Sequence, residues 1–156
     1  MKVKLLKILL LSFLPLISFA QQKNGVYFEF SEKDCPYKKV KVVNEGRFVC
    51  IPERPVFDIR DYEKISKMEI DTQNNLRRFE ITLTNKGREK LLTISKLFTG
   101  SNLAFVFENE VVCLFKLEEM AYSGKIIINE YLNNSAIEIP YQTIKENIEK
   151  KNRPNK

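Results

Sequence analysis

The sequence predicts an α+β fold: a mainly antiparallel sheet with two to three helices packed on one face. Apolar and polar residues alternate over residues 78–83, a pattern typical of a half-buried antiparallel strand. A capped amphipathic helix pattern follows directly, beginning at Thr84. Short polar turns connect these elements, so strands and helices are mixed within one domain.

Residues 1–20 have the composition of a secretory signal peptide. Three lysines precede an apolar run over residues 8–14, and Ser18 and Ala20 are small residues at positions that a signal peptidase reads. A membrane anchor is the alternative, but the segment is shorter than the roughly 20 residues of a spanning helix and Pro15 interrupts it. We therefore expect a periplasmic or secreted protein, cleaved near Ala20, with no membrane segment afterwards.

Removal of residues 1–20 lowers the net charge of the chain and leaves a length that fits one domain. The chain has a net charge of +6, and residues 1–20 hold three lysines and no acid, so the remainder carries +3. The excess lies in residues 141–156, which predict a helix and a basic tail whose lysines suit a solvated helix end. We expect no nucleic-acid partner. Residues 21–140 are long enough for one α+β domain.

The amino-terminal part predicts strands. Apolar and polar residues alternate over residues 26–30, which indicates a first strand. Residues 40–43 and 47–51 predict a hairpin around a turn at residues 44–46, and two prolines then end the sheet.

The segment after these prolines predicts a helix. Asp58 can cap it, and it ends near Met68. Its apolar face consists of residues at a spacing of three: Ile59, Tyr62 and Ile65. A short strand over residues 69–71 then leads to the strand over residues 78–83.

The carboxyl-terminal part predicts a helix, a hairpin, a strand and a last helix. Thr84 or Asn85 caps a helix that ends at Gly100, with an apolar stripe at Leu91, Ile94 and Phe98. The other three elements follow in order: a hairpin of residues 103–107 and 111–117, a strand over residues 125–129 and a helix over residues 141–150.

Three cysteines allow one disulfide. Cys35 and Cys50 flank a predicted strand, turn and strand, and a bridge that closes a loop of this size stabilises by about 3 kcal/mol in the chain-entropy model. Cys113 lies in an apolar run and is predicted to be a buried small hydrophobe, with a reactive thiol as the alternative. Three single pairings are possible, and the spacing favours Cys35 with Cys50.

Little in the sequence predicts catalysis. There is no histidine, so no histidine base can activate a serine or cysteine and no histidine can bind a metal. A phosphate-binding loop and a nucleophile elbow are also absent from the sequence. Two pairs of acids have the residue types of a carboxylate hydrolase, but adjacent acids are ordinary on a surface: Glu118 with Glu119, and Glu108 with Glu110. We expect no enzyme activity, cofactor or metal.

The predicted hairpin is apolar on both faces, unlike a strand with one solvated face. Either the strands of residues 26–51 fold across its second face, or part of that face or the adjacent sheet edge receives a polypeptide partner. The candidate partner-binding residues are Phe105, Val106, Phe107, Val112 and Leu114.

Several segments in order resemble the head of the first periplasmic domain of SecD, an accessory subunit of the bacterial preprotein translocase. LTNKGREKL (residues 83–91) is similar to the family's L-T-x-x-G helix start, and LAFVF (residues 103–107) to the start of its hairpin. PVFDIRDYEKI (residues 55–65) resembles the segment that leads into the preceding family helix. The chain departs from the family at the hairpin turn, where residues 108–110 replace an Asp-Gly pair, and at Cys113-Leu114-Phe115, which replaces S-A-P.

The resemblance implies a fold and protein partners. SecD acts in the membrane through transmembrane helices, which the sequence after residue 20 does not predict, so the resemblance does not imply translocase activity. We expect an exported, non-catalytic protein-binding module. The alternatives are a secreted inhibitor, a structural protein or a carboxylate-based hydrolase.

Overall fold

The computed structural model describes residues 23–30, 33, 35–117 and 123–153, so the predicted signal peptide lies outside the described residues. Within this part the chain forms nine strands and two helices, which confirms the α+β class. The strands are β1 (Gly25–Phe28), β2 (Lys38–Val42), β3 (Phe48–Ile51), β4 (Tyr62–Ile65), β5 (Glu69–Asp71), β6 (Leu76–Leu83), β7 (Asn102–Phe107), β8 (Glu110–Lys116) and β9 (Lys125–Tyr131). The helices are α1 (Asn85–Leu97) and α2 (Glu138–Asn152), and neither is long and apolar enough to cross a membrane.

The first sheet curls until its two edges meet. Its strand order is β1-β7-β8-β2-β3, and its neighbours are antiparallel except β2 and β8. Phe30, just after β1, forms an antiparallel bridge with Cys50 of the opposite edge strand, and its N–H donates to the Cys50 carbonyl at 2.9 Å. The sheet therefore closes at this point into a short five-stranded barrel.

The barrel is filled by aliphatic side chains and one tyrosine ring. Every described member of this interior cluster comes from the five barrel strands and is at most 2% exposed: Tyr27, Val40, Val42, Val49, Ile51, Ala104, Val106 and Val111. Because side chains alternate along a strand, Lys39 and Lys41 of β2 point outward into solvent. The curvature lets one sheet bury this face on itself.

The second sheet is centred on β6. This strand pairs with β9 along one edge and with β4 and β5 along the other, always antiparallel. Its apolar face shares the main core with both helices and with the outer face of the barrel strands β1, β7 and β8. Division of the strands into two sheets is a feature that the sequence analysis does not predict.

Helix α1 begins as predicted. Thr84 is its N-cap, and the Thr84 hydroxyl accepts a hydrogen bond from the Gly87 N–H at 3.2 Å. Leu91 and Ile94 of its apolar stripe are buried against the second sheet, whereas Phe98 is 47% exposed.

The predicted helix over residues 58–68 is wrong. Residues 58–61 form a turn, and β4 follows with its backbone paired to β6. Asp58 accepts a hydrogen bond from the Arg60 N–H at 2.9 Å, as an N-cap does, but no helix follows because β4 begins at Tyr62. The Asp58 carboxylate also accepts from the Arg60 guanidinium at 2.6 Å. The apolar spacing that indicated a helix instead places Ile59 in the turn and Tyr62 at the start of β4.

The predicted disulfide is confirmed. Cys35 and Cys50 are bonded, with their Cα atoms 5.6 Å apart. The bond joins the segment after β1 to β3, beside the bridge of Phe30 with Cys50. Cys113, in β8, is the free cysteine of the described residues.

Candidate functional site

The structure separates the five hairpin residues predicted as a partner-binding surface. Val106 and Leu114 belong to the barrel interior, whereas Phe105 and Val112 pack in the main core. Phe105, Val106 and Phe107 are at most 7% exposed. The amino-terminal strands thus cover the second face of the hairpin, as one of the two alternatives predicts. The expectation of a free binding surface is therefore wrong for the β7 residues, which are core, whereas Val112 and Leu114 of β8 are only partly buried.

Two of these residues nevertheless line a cleft. Phe105 and Phe107 form part of the wall of a cavity of about 420 Å³ between β7, the start of β1, the turn of residues 58–61 and helix α2. The apolar lining is completed by Ile59, Tyr62 and Ile144, and polar groups of Lys23, Thr143 and Asn147 stand around it. An apolar cavity with a few polar groups at its rim is typical of a ligand-binding site.

The wall beside β1 depends on a close backbone approach. A Cβ atom at Gly25 would lie 2.4 Å from the Phe57 carbonyl oxygen, so no larger residue fits there. Val26 donates its N–H to this carbonyl at 2.8 Å, and the Val56 N–H donates to the Val26 carbonyl at 2.7 Å. These contacts hold residues 56 and 57, which lead into the turn of residues 58–61, against β1.

Two buried acids hold the turn together. Asp58 and Asp61 are 7% and 8% exposed. Asp61 accepts hydrogen bonds from the Asp58 N–H at 3.2 Å and from the Lys90 ammonium at 2.8 Å. The hydrogen bonds from the Arg60 side chain lower the pKa of Asp58 below its ordinary value of 3.8. Both acids are thus ion-paired supports of the cleft, and Asp58 stays ionised at neutral pH.

Other titratable groups in and near the core are held in their neutral form. Burial raises the pKa of Tyr62, a residue of the cleft wall, so its phenol remains protonated. Burial also raises the pKa of Cys113 to about 12, and its thiol donates to the Asn129 carbonyl at 3.3 Å. In the part of the chain that the structure describes, no three acids or cysteines lie close enough together to hold a metal ion.

Sequence reasoning found only one side of the cleft. Phe105 and Phe107 stand out because the hairpin does not alternate, but Thr143, Ile144 and Asn147 of α2 lie on an ordinary amphipathic helix. Which helix face meets β7 depends on contacts between distant segments. The sequence of residues 55–65 indicated one further part of the site: its resemblance to a family segment marks the region that contains the turn beside the cleft.

Comparisons with known proteins support the resemblance in fold. No protein-family model matches the sequence, and neither does any curated protein. The chain is similar to SecDF in a super-membrane-facing form, with a TM-score of 0.55 and 13% identity over 81% of this chain and 19% of that chain. It is also similar to SecDF described as a membrane component that enhances protein export, with a TM-score of 0.54 and 14% identity over 81% of this chain and 62% of that one. At this identity the likeness shows a SecD-like fold, and the chain spans less than two thirds of either structure.

Proposed function

We propose that this protein is an exported, non-catalytic protein-binding module, and that an apolar side chain of a polypeptide partner enters the cleft between β7 and α2. The observation that carries the proposal is the cavity of about 420 Å³ walled by Phe105, Phe107 and Ile144. A volume of this size fits one or two large apolar side chains. Polar groups of Lys23 and Asn147 at the rim are available to a partner's backbone.

The chemistry of the described residues supports binding rather than catalysis. The chain has no histidine, and the carboxylate nearest the cleft, Asp58, is already ion-paired with Arg60. Groups that act as general bases have a pKa near the working pH. The pKa of Asp58 is lowered and the pKa of the Cys113 thiol is raised, so both lie away from neutral pH. Within the described residues, the cleft therefore offers a partner shape and hydrogen bonds.

Two observations support export. Residues 1–20 have the three regions of a signal peptide. The bond between Cys35 and Cys50 is of the kind that persists in an oxidising compartment such as the periplasm. The SecDF structures with the same fold belong to a membrane component that enhances protein export, so a polypeptide in that compartment is the partner class that we propose.

The proposed role of the cleft in binding is tested by blocking its opening with a large side chain. Asn147 is an exposed residue of α2 that lines the cleft, and Asn147→Trp places a large ring across the opening without removing a core contact. Two matched controls, Lys145→Trp and Gln142→Trp, lie on the same helix. Lys145 lines neither cavity, and Gln142 lines a separate groove beside Met68. Immobilised protein is incubated with an extract of its own compartment, bound proteins are identified by mass spectrometry, and thermal melting checks the fold.

The expected result is a partner captured by the wild type and by both control variants but lost by Asn147→Trp, with all four melting temperatures similar. The proposal is wrong if Asn147→Trp captures the same proteins as the wild type. It is also wrong if the wild type turns over a substrate in the extract and this turnover, rather than capture, is lost.

A further inference from the structure

Lys151 of α2 joins the two walls of the cleft at one end. Its ammonium group donates hydrogen bonds to the Tyr62 carbonyl at 2.8 Å and to the Arg60 carbonyl at 3.2 Å. Both acceptor residues line the cleft on the side of the turn, whereas Asn147 lines it on the side of α2. Lys151 follows Asn147 by four residues, so it lies one helical turn further along the same face of α2. Among the described residues, Lys151 is outside the cavity wall.

The wall on the side of the turn is held independently of α2. The Lys90 ammonium of α1 donates to the Val56 carbonyl and to the Asp61 carboxylate, each at 2.8 Å. The Thr84 N–H, at the start of α1, donates to the Asp61 carbonyl at 2.8 Å. These bonds attach both ends of the segment 56–61 to α1, so the turn keeps them if the end of α2 shifts.

The carboxyl end of α2 has fewer attachments. Its last buried apolar residues are Ile144 and Ile148. Beyond them, the hydrogen bonds from α2 to other described elements come from Lys151 and Asn152. The Asn152 amide donates to the Glu63 carbonyl at 3.4 Å, which is a long distance for a hydrogen bond. Because helix ends fray, the position of the last turn of α2 depends mainly on the ammonium of Lys151.

We propose that Lys151 is a positioning residue of the cleft: it holds the last turn of α2 against residues 58–61, so that the wall around Asn147 is in place before a partner's apolar side chain enters. This inference rests on the proposed function and names a residue outside the cavity on which binding depends. A wall that is already ordered loses little conformational entropy on binding, whereas a frayed wall must be ordered at the expense of affinity. An ammonium has three donors and can bond both carbonyls at once, whereas methionine, with a side chain of similar length, has none.

The test measures binding of a fluorescein-labelled peptide in which serines flank two phenylalanines. Fluorescence anisotropy should show that Lys151→Met weakens binding by about fivefold, the loss expected when one or two more side chains must be ordered. Lys151→Arg keeps the charge and the donors and should bind as the wild type does. The matched control is Lys150→Met, which should also bind normally because Lys150 is ion-paired to Glu146 within α2.

Hydrogen exchange gives a second readout that a general loss of stability would not produce. The amides of residues 149–152 should exchange faster in Lys151→Met than in the wild type and should regain protection when the peptide is bound. The amides of β6 should exchange at the same rate in both proteins.

Two results would overturn this inference and leave the proposed function intact. One is wild-type affinity of Lys151→Met for a peptide that Asn147→Trp no longer binds. The other is an equal loss of affinity in Lys150→Met, which would assign the effect to net charge. Peptide binding that survives in Asn147→Trp would instead contradict the proposed function as well, because the peptide then lies outside the cleft. Thermal melting accompanies each variant, and Lys151→Gln, whose donor reaches less far, decides if Lys151→Met does not fold.

Discussion

The barrel and the half of the molecule covered by helices bury their apolar residues in different ways. The barrel has no helix in its interior cluster and relies on the curvature of one sheet, closed where Phe30 meets Cys50. The other half places α1 and α2 on β6 and β9 and contains large rings such as Phe79 and Tyr141, whose centroids are 5.2 Å apart. The difference shows that a short sheet can supply its own second layer, provided that its edges are held together.

The two cores meet at one hairpin. In β7, Leu103 and Phe105 face the helices while Ala104 and Val106 face the barrel interior. A strand buried on both faces has no polar positions, which is why this segment lacks the alternation seen in β6. The hairpin β7–β8 therefore couples the stability of the barrel to that of the other half.

The largest effect is expected from truncation in the core under the helices. Phe79 is fully buried against Tyr141, so Phe79→Ala should lower the free energy of unfolding by about 3–5 kcal/mol. The matched barrel variant, Val106→Ala, removes two methyl groups and should cost about 2 kcal/mol. Urea unfolding of both variants measures the difference, and a larger loss in Val106→Ala would reverse the ranking of the two cores.

The next effect concerns closure of the barrel. Replacement of both Cys35 and Cys50 by serine should cost about 3 kcal/mol because the unfolded chain regains the freedom of the loop. Hydrogen exchange should increase first at the amides of β2 and β3, while those of α1 remain protected. Uniform loss of protection, with α1 exchanging as early as β3, would show that the barrel does not open separately. Cys113→Ala is the control for removal of a sulfur that is not bonded.

The smallest effect on stability is expected when the pH is lowered and Asp58 is protonated. The pKa of Asp58 is lowered in the folded protein, so the group stabilises the fold above its ordinary pKa of 3.8 and this contribution is lost as the pH falls through the lower, folded value. Arg60→Gln removes the main cause of that shift and should flatten the dependence of melting temperature on pH below about pH 4. Arg54→Gln, an exposed arginine of the same connection, is the control. Parallel pH profiles for the wild type and Arg60→Gln would disprove the assignment.

Local patterns predict most elements because their causes are local. The Thr84 cap lies beside the helix that it starts, and the turn of residues 44–46 is marked by Asn44 and Gly46, both of which adopt positive φ. The predicted helix at residues 58–68 fails for a reason that local spacing cannot show. Asp58 makes a cap-type hydrogen bond with the Arg60 N–H, but β4 gains its backbone hydrogen bonds from β6, at a distance along the chain, and the segment is therefore extended.

The site was less predictable than the fold. Barrel closure depends on Phe30 meeting Cys50, and the cysteine pair was its only sequence signal. Burial of Val106 follows from this closure, so an apolar second face on the hairpin indicated a covered layer and not a free surface. The cleft forms where α2 crosses β7, and no residue pattern within α2 distinguishes Ile144 as part of its wall.

The raised pKa of the partly buried Cys113 has a consequence for oxidative folding. Disulfide shuffling requires attack by a thiolate, and a thiol with a pKa of about 12 is almost entirely protonated at neutral pH. In the folded chain Cys113 is therefore a poor nucleophile toward the bond between Cys35 and Cys50. We expect the third cysteine to compete for pairing mainly before β8 and β9 come together, because the contact of its thiol with the Asn129 carbonyl forms at that stage.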